Sequence, residues 1–279
     1  MMINISLFDQ YGQMKLGKND YDDTAALMTS TGEERVYIAT QYLEYHEGDY
    51  FEIELSEPKQ YLVVQLDQTL SPSTIFIQGK KWRYNLPLQD DWKESSSDIA
   101  FKGKRHYVSV RKAETYEIES YQNLTLNTHD SKEDTGAYPH ASANVETRND
   151  STFFALNAID GIYANLSHGS FPFQSWGINQ QDDAELKIDF GRVVAISELE
   201  LTIRADFPHD NFWTKGTIAF SDGTEIKLDL AKTPEPQRYK IDMKETNWIK
   251  LKQLIKSQES DSPFPALTQI AAFGDNIVN

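Results

Sequence analysis

Glu198-Leu-Glu-Leu-Thr-Ile-Arg204 alternates polar and apolar residues, and Thr217-Ile-Ala-Phe-Ser-Asp-Gly-Thr-Glu-Ile-Lys-Leu-Asp-Leu230 does so on both sides of an Asp-Gly pair. A period of two sends successive side chains to opposite faces, which is the pattern of a half-buried strand. Asp222-Gly223 between the two runs is a tight-turn signal, so residues 217–230 are predicted to form a hairpin. Similar alternation recurs at 50–55, 61–66, 73–78, 106–111 and 116–121 in the first half, and at 184–190, 248–251 and 268–273 in the second. Helical spacing is confined to short stretches, residues 22–30 and 153–159. Many short strands separated by turns predict an all-β fold built from β-sandwiches.

The chain has 279 residues, 39% of them hydrophobic and 25% charged, a balance that supports a globular protein with one large or two medium domains. Residues 127–137 are polar and lack apolar periodicity, so they read as a linker between an N-terminal β-sandwich domain, residues 1–126, and a second domain, residues 138–279. Strand order looks repeated between the halves. Residues 49–55, 61–66, 74–77 and 82–86 are echoed by 184–190, 199–203, 217–220 and 225–230, each series ending in a hairpin return. The expected architecture is two tandem jelly-roll-type sandwiches.

A formal net charge of −16 would repel a phosphate backbone or an anionic membrane surface, so nucleic acid is not an expected partner. No apolar run approaches the ~20 residues of a membrane span. Without cysteine there is no disulfide framework, thiolate nucleophile or cysteine metal site. The first residues lack a basic stretch followed by a long apolar one, which predicts a cytoplasmic protein, or an extracellular one if a leader has been trimmed.

Between the two decisive strand runs lies Arg204-Ala-Asp-Phe-Pro-His-Asp-Asn-Phe-Trp213. Loops held by rigid strands are where binding chemistry gathers. Arg204, Asp206, His209 and Asp210 offer hydrogen-bonding groups, and Trp213 offers a flat apolar face, a mixture suited to a polyhydroxylated ligand such as a sugar. His168, with Phe171 or Phe173 nearby in sequence, is a candidate to join them. The competing reading is a loop whose charges pair with each other and whose aromatics cap the core. No histidine pair has metal-binding spacing, and no phosphate loop or nucleophile elbow occurs.

Six motifs follow in order: Ala141-Ser-Ala-Asn144, Asn157-Ala-Ile-Asp-Gly161, Gln174-Ser-Trp176, Ala184-Glu-Leu-Lys-Ile-Asp-Phe-Gly191, Phe220-Ser-Asp-Gly223 and Pro265-Ala-Leu-Thr-Gln-Ile-Ala-Ala-Phe-Gly274. The series resembles the discoidin, or coagulation-factor type C, domain and the related family 32 carbohydrate-binding modules, over residues ~138–275. The resemblance implies a galactose-binding-like sandwich for the second domain, with Trp176 in its core. It also implies a non-catalytic carbohydrate-binding protein that uses loops at one end of the sandwich. The alternatives are a glycan-active hydrolase or lyase working through Asp206 and Asp210, and a protein- or lipid-interaction module with Phe171, Phe173, Phe207 and Phe212 as spikes; a protein partner stays open. No cofactor is required. The resemblance offers a structural calcium at Asn157 and Asp160, but Gln269 stands where the family commonly has Glu, and calcium prefers charged oxygen ligands.

Overall fold

A computed structural model describes residues 1–277. Two hydrophobic cores organise it. In the first half, strands Thr29–Gly32, Ile3–Phe8, Tyr50–Leu55 and Lys81–Asn85 lie in that order in one antiparallel sheet. Ala137–Tyr138, Ser73–Ile77, Gln60–Gln65, His106–Lys112 and Arg35–Thr40 form the other. Ile3, Ile5 and Ile53 from one sheet meet Leu62, Val64 and Val110 from the other in a single buried cluster. Each such side chain contributes about 1.5–3 kcal/mol on burial, so alternation alone forces the two sheets face to face.

The second half is one continuous antiparallel sheet in the order Gln122–Asn123, Ala266–Asn276, Leu186–Ile203, Gln237–Lys256, Trp213–Phe220, Glu225–Asp229, with His140–Ala143 added to Leu186–Ile203. Leu186–Ile203 is 18 residues long and Gln237–Lys256 is 20. Their pairing shifts register between Asp189 and Val194 and again between Ile196 and Glu198. Such irregularities bend a strand. Leu186, Ile188 and Phe190 before the shifts and Leu199, Leu201 and Ile203 after them enter one core, together with Trp176, Trp213 and Phe220.

Several sequence expectations are corrected. Residues 116–121 alternate, yet Thr115–Glu119 is a helical turn: Glu114 and Glu117 form a reciprocal capping box, and Arg111 holds Glu117 with two hydrogen bonds of 2.7 and 2.6 Å. Residues 22–30 contain strand segments Ala26–Leu27 and Thr29–Gly32 rather than a helix. The 153–159 region forms short 3-10 turns, Ser151–Phe153 and Ala155–Ile159. Nor does the strand-order repeat carry over to pairing. Glu225–Asp229 returns beside Trp213–Phe220 as a hairpin, whereas Lys81–Asn85 leaves its predecessor and pairs with Tyr50–Leu55 in the opposite sheet. Alternation reports which face is buried, not which neighbour donates hydrogen bonds.

The end of the expected first domain and the expected linker, residues 127–137, both pack on the two halves. Gln122 and Asn123 pair with Gly274 and Phe273, Leu124 enters the second core, and the Thr125 hydroxyl donates to Ile270 O at 2.8 Å. The chain then turns back. Leu66 N–H donates to His129 Nε2 at 3.1 Å, leaving the His129 Nδ1 hydrogen for the hydroxyl of Ser73 or Thr128. Burial pushes His129 down to about 3, so it stays neutral. Ala137 and Tyr138 extend the first half's sheet before His140 joins the second. Polar composition misleads here because Asn127 and His129, each 1% exposed, spend their polar groups on buried backbone.

The halves also touch through Arg192, whose guanidinium lies 5.0 and 5.3 Å from the Tyr61 and Phe76 rings and donates to Asn276 Oδ1. A fragment spanning 115–279 is expected to be more stable than one spanning 138–279 by about 3 kcal/mol, the cost of vacating a buried leucine site, because the shorter piece lacks Leu124 and Thr125. Urea denaturation of both fragments checks this; equal midpoints would exclude it.

Candidate functional site

The 204–213 loop is held from inside. Arg204 is the first residue after the strand Leu186–Ile203, and its backbone N–H donates to Ala266 O at 3.0 Å. Its guanidinium forks onto both carboxylate oxygens of Asp210 and donates to Phe264 O at 2.7 Å. With side chains 6% and 2% exposed, this is a buried, bidentate, charge-assisted pair that fixes the loop. Asn211 extends the frame, its amide nitrogen donating to Ser257 O, Ser260 O and Ser262 O at 3.2, 3.0 and 3.0 Å.

Asp206 sits nearer the surface between two histidines. His168 Nδ1 is 2.6 Å from Asp206 Oδ2 and His209 Nδ1 is 3.5 Å from Asp206 Oδ1. Burial pushes the Asp206 carboxyl up, but hydrogen bonds from the two histidines outweigh that and hold it below the ordinary carboxylate value. Both imidazoles are largely open to solvent, with side chains 51% and 76% exposed.

Trp213 is a correction. It is 1% exposed and lies against Trp176, ring centroids 6.4 Å apart, so it offers no stacking face to a ligand. It begins the strand Trp213–Phe220, and its ring is part of the second hydrophobic core. Phe212 is likewise buried and packs edge-on against half-buried Phe207, and Phe173 is half-buried; of the four aromatic spikes expected, only Phe171 is exposed.

A cleft of about 190 Å³ opens beside the loop. Arg204, His209, Asp210 and His168 line it, whereas Asp206 and Trp213 do not. Residues with no sequence signal complete it: Arg148, Asn179, Gln180 and Phe264. Arg148 and Asn149 have φ of 55° and 51°, and Asn179 and Gln180 have φ of 49° and 63°. Two neighbouring loops thus each hold a pair of non-glycine residues in the left-handed region, and such backbone strain concentrates at functional sites.

The calcium expectation meets a different arrangement. Gln269 Oε1 accepts from Gly161 N–H at 3.0 Å, which fixes the orientation of its amide. Its nitrogen therefore faces Asn157 O, Asp160 Oδ1 and Thr268 O, each at 2.7 Å. An N–H donor stands among the oxygens that a cation would need. Among the described residues no three acidic or histidine side chains gather as a metal set. These residues do not fit calcium. Gln174 donates to Asp160 Oδ2 at 2.8 Å and Ile162 N–H to Oδ1 at 2.8 Å, yet burial pushes the Asp160 carboxyl up to about 7.

No family model matches the chain, and no curated protein matches it. Among solved structures it is similar to chitosan-binding module 1 of a chitosanase/glucanase from Paenibacillus sp. IK-5, at 15% identity and a TM-score of 0.38 over 55% of this chain and 99% of the module. It is also similar to the family 32 carbohydrate-binding module of NanJ from C. perfringens, solved with galactose, at 21% identity and a TM-score of 0.36 over 48% of this chain and 91% of that one. The lectin domain of lectinolysin with Lewis b antigen aligns at 15% identity and a TM-score of 0.40, over 57% of this chain and 100% of the domain.

Two outcomes follow from the Asp160 cluster. Because its folded pKa lies above the unfolded value, the unfolded chain loses this proton first, so stability falls as pH rises from about 4 to about 7 and levels off above. Urea midpoints across that range are expected to flatten in Asp160→Asn; an unchanged slope would exclude the assignment. Gln269→Glu puts a second carboxylate beside Asn157 O and Asp160, and is expected to give a melting temperature that rises with calcium in the variant and not in the parent.

Proposed function

We propose that this chain binds a neutral carbohydrate in the cleft beside the 204–213 loop and does no chemistry on it. The observation that carries the reading is that Arg148, Asn179, Gln180, His168 and His209 line one cleft together with Phe264. Amide and guanidinium groups are planar forks able to bracket adjacent hydroxyls, and imidazole nitrogens add single hydrogen bonds. Phe264, 46% exposed, supplies the apolar surface that a sugar's C–H face needs, the role first given to Trp213. A net charge of −16 favours a neutral glycan over a sulfated or uronate-rich one.

Arg204 and Asp210 act as the frame. Their charges are spent on each other, and Asp206 is spent on orienting the histidines, so neither carboxylate is left free to serve in the acid–base pair that glycoside hydrolysis uses. Arg204→Ala would strand a buried charge and unfold the loop, so the informative variants are at the surface.

A glycan array with the parent, Arg148→Ala, Gln180→Ala and His209→Ala is the test. Each variant is expected to stay folded and to lose about tenfold in affinity, the value of one hydrogen bond to a charged or well-oriented group. Folded parent protein that binds no neutral glycan would overturn the reading. Glycan cleavage by the parent that Asp206→Asn abolishes would replace it with a hydrolase.

A further inference from the structure

A larger groove of about 310 Å³ lies between the two sandwiches, away from the 204–213 loop. Its walls come from both halves of the chain and are pinned together. The Trp92 ring meets Phe154 edge-on at 5.4 Å, and Phe171 N–H donates to Glu94 O at 2.7 Å. The Ser170 hydroxyl also donates to the Glu94 carboxylate. These contacts clamp the Asp90–Ser95 turn of one half onto the 170–174 loop of the other, so the groove is preformed.

We infer that this groove is a second ligand site and that it takes a neutral saccharide. Three features of the lining select that class. Trp92, Tyr84 and Phe171 give it aromatic surface. Eight serine and threonine side chains also line it, groups that both donate and accept, as the hydroxyls of a sugar do. A lipid tail would strand those hydroxyls without partners. Finally, Lys132, the one lysine among the lining residues, is already held by Glu146 at 3.3 Å and lies 3.8 Å from the Phe154 ring centre, and no arginine joins it. An anionic ligand would find no free cation among the described residues that line it.

The floor points the same way. Gln174 is 2% exposed and lines the groove, and its side-chain oxygen has no hydrogen-bond partner among the described residues while its nitrogen is committed to Asp160. A buried amide oxygen left unpaired is costly, and a hydroxyl delivered from the groove after a small rotation of the amide would satisfy it. The loop that carries His168 to the first cleft carries Phe171 to this groove, so one connection borders both. The inference rests on the groove's own lining and does not require the first cleft to bind sugar.

The Trp92 indole N–H is the reporter. Its signal in the amide nitrogen–proton spectrum of the full chain is assigned by its disappearance in Trp92→Phe. Methyl glycosides of galactose, glucose, mannose and N-acetylglucosamine are the probes. At least one is expected to shift that signal, with the same titration curve in His209→Ala. Phe171→Ala is expected to weaken the response about tenfold by removing an aromatic face, and Ser96→Trp to abolish it by filling the groove. A Trp92 signal that no glycoside moves overturns the inference, as does a response that vanishes in His209→Ala, since both would leave the groove without a saccharide of its own. Failure at the first cleft alone would show instead as loss of the His168 and His209 signal changes with the Trp92 response intact.

Discussion

The fold depends on one stretch of chain, residues 122–143, serving both halves. Gln122 and Asn123 close the edge of the second sandwich, Ala137 and Tyr138 close an edge of the first, and His140–Ala143 returns to the second. An open strand edge leaves backbone groups unpaired and invites unwanted pairing. Here the same connection covers an edge on each side, so the two cores share a boundary and neither is complete without this connection. The buried His129 and the Asp130–His140 contact at 2.9 Å are the polar fittings of that joint.

Burial of polar groups also sets the loops. Arg204–Asp210 and the Gln269–Asp160 cluster are each a closed set of donors and acceptors in low-polarity surroundings, where an unmade hydrogen bond is expensive. Their consequence is positional. Arg204 ties the 204–213 loop to the start of the last strand, and Gln269 ties that strand to the 157–161 turn. Beside them His168 and His209 hold Asp206 and Arg148 holds Asp150, yet these three side chains stay half or more exposed. Binding sites work well when ordering costs have been met by the scaffold rather than by the ligand.

A division of labour in the 204–213 loop follows from this. Arg204 and Trp213, its residues best suited by type to a sugar, are consumed by the structure, and apart from His209 the other polar groups lining the cleft come from other loops. Phe264, Asn179 and Arg148 lie between about 25 and 60 residues from Arg204 along the chain, yet they line the same cleft. Residue type states what a side chain can do; whether it is free to do it depends on its neighbours.

Alternation of apolar and polar residues by itself determined that the chain is all-β, where most strands lie, and that 204–213 is a loop, because these are local properties of a backbone with period two. It also carried the ordered motifs of the second half. It could not determine pairing. The helix at Thr115–Glu119, the crossing of Lys81–Asn85 to the other sheet and the double use of residues 122–143 each depend on partners distant in sequence. The same holds for the site. Arg204, Asp210, His168 and His209 were legible as polar residues on a loop, but the burial of Trp213, the spending of Arg204 on Asp210 and the arrival of Arg148, Asn179, Gln180 and Phe264 were decided only by the tertiary structure. Burial is a collective quantity: it is set by what else packs at a point in space, and no single stretch of sequence contains that information.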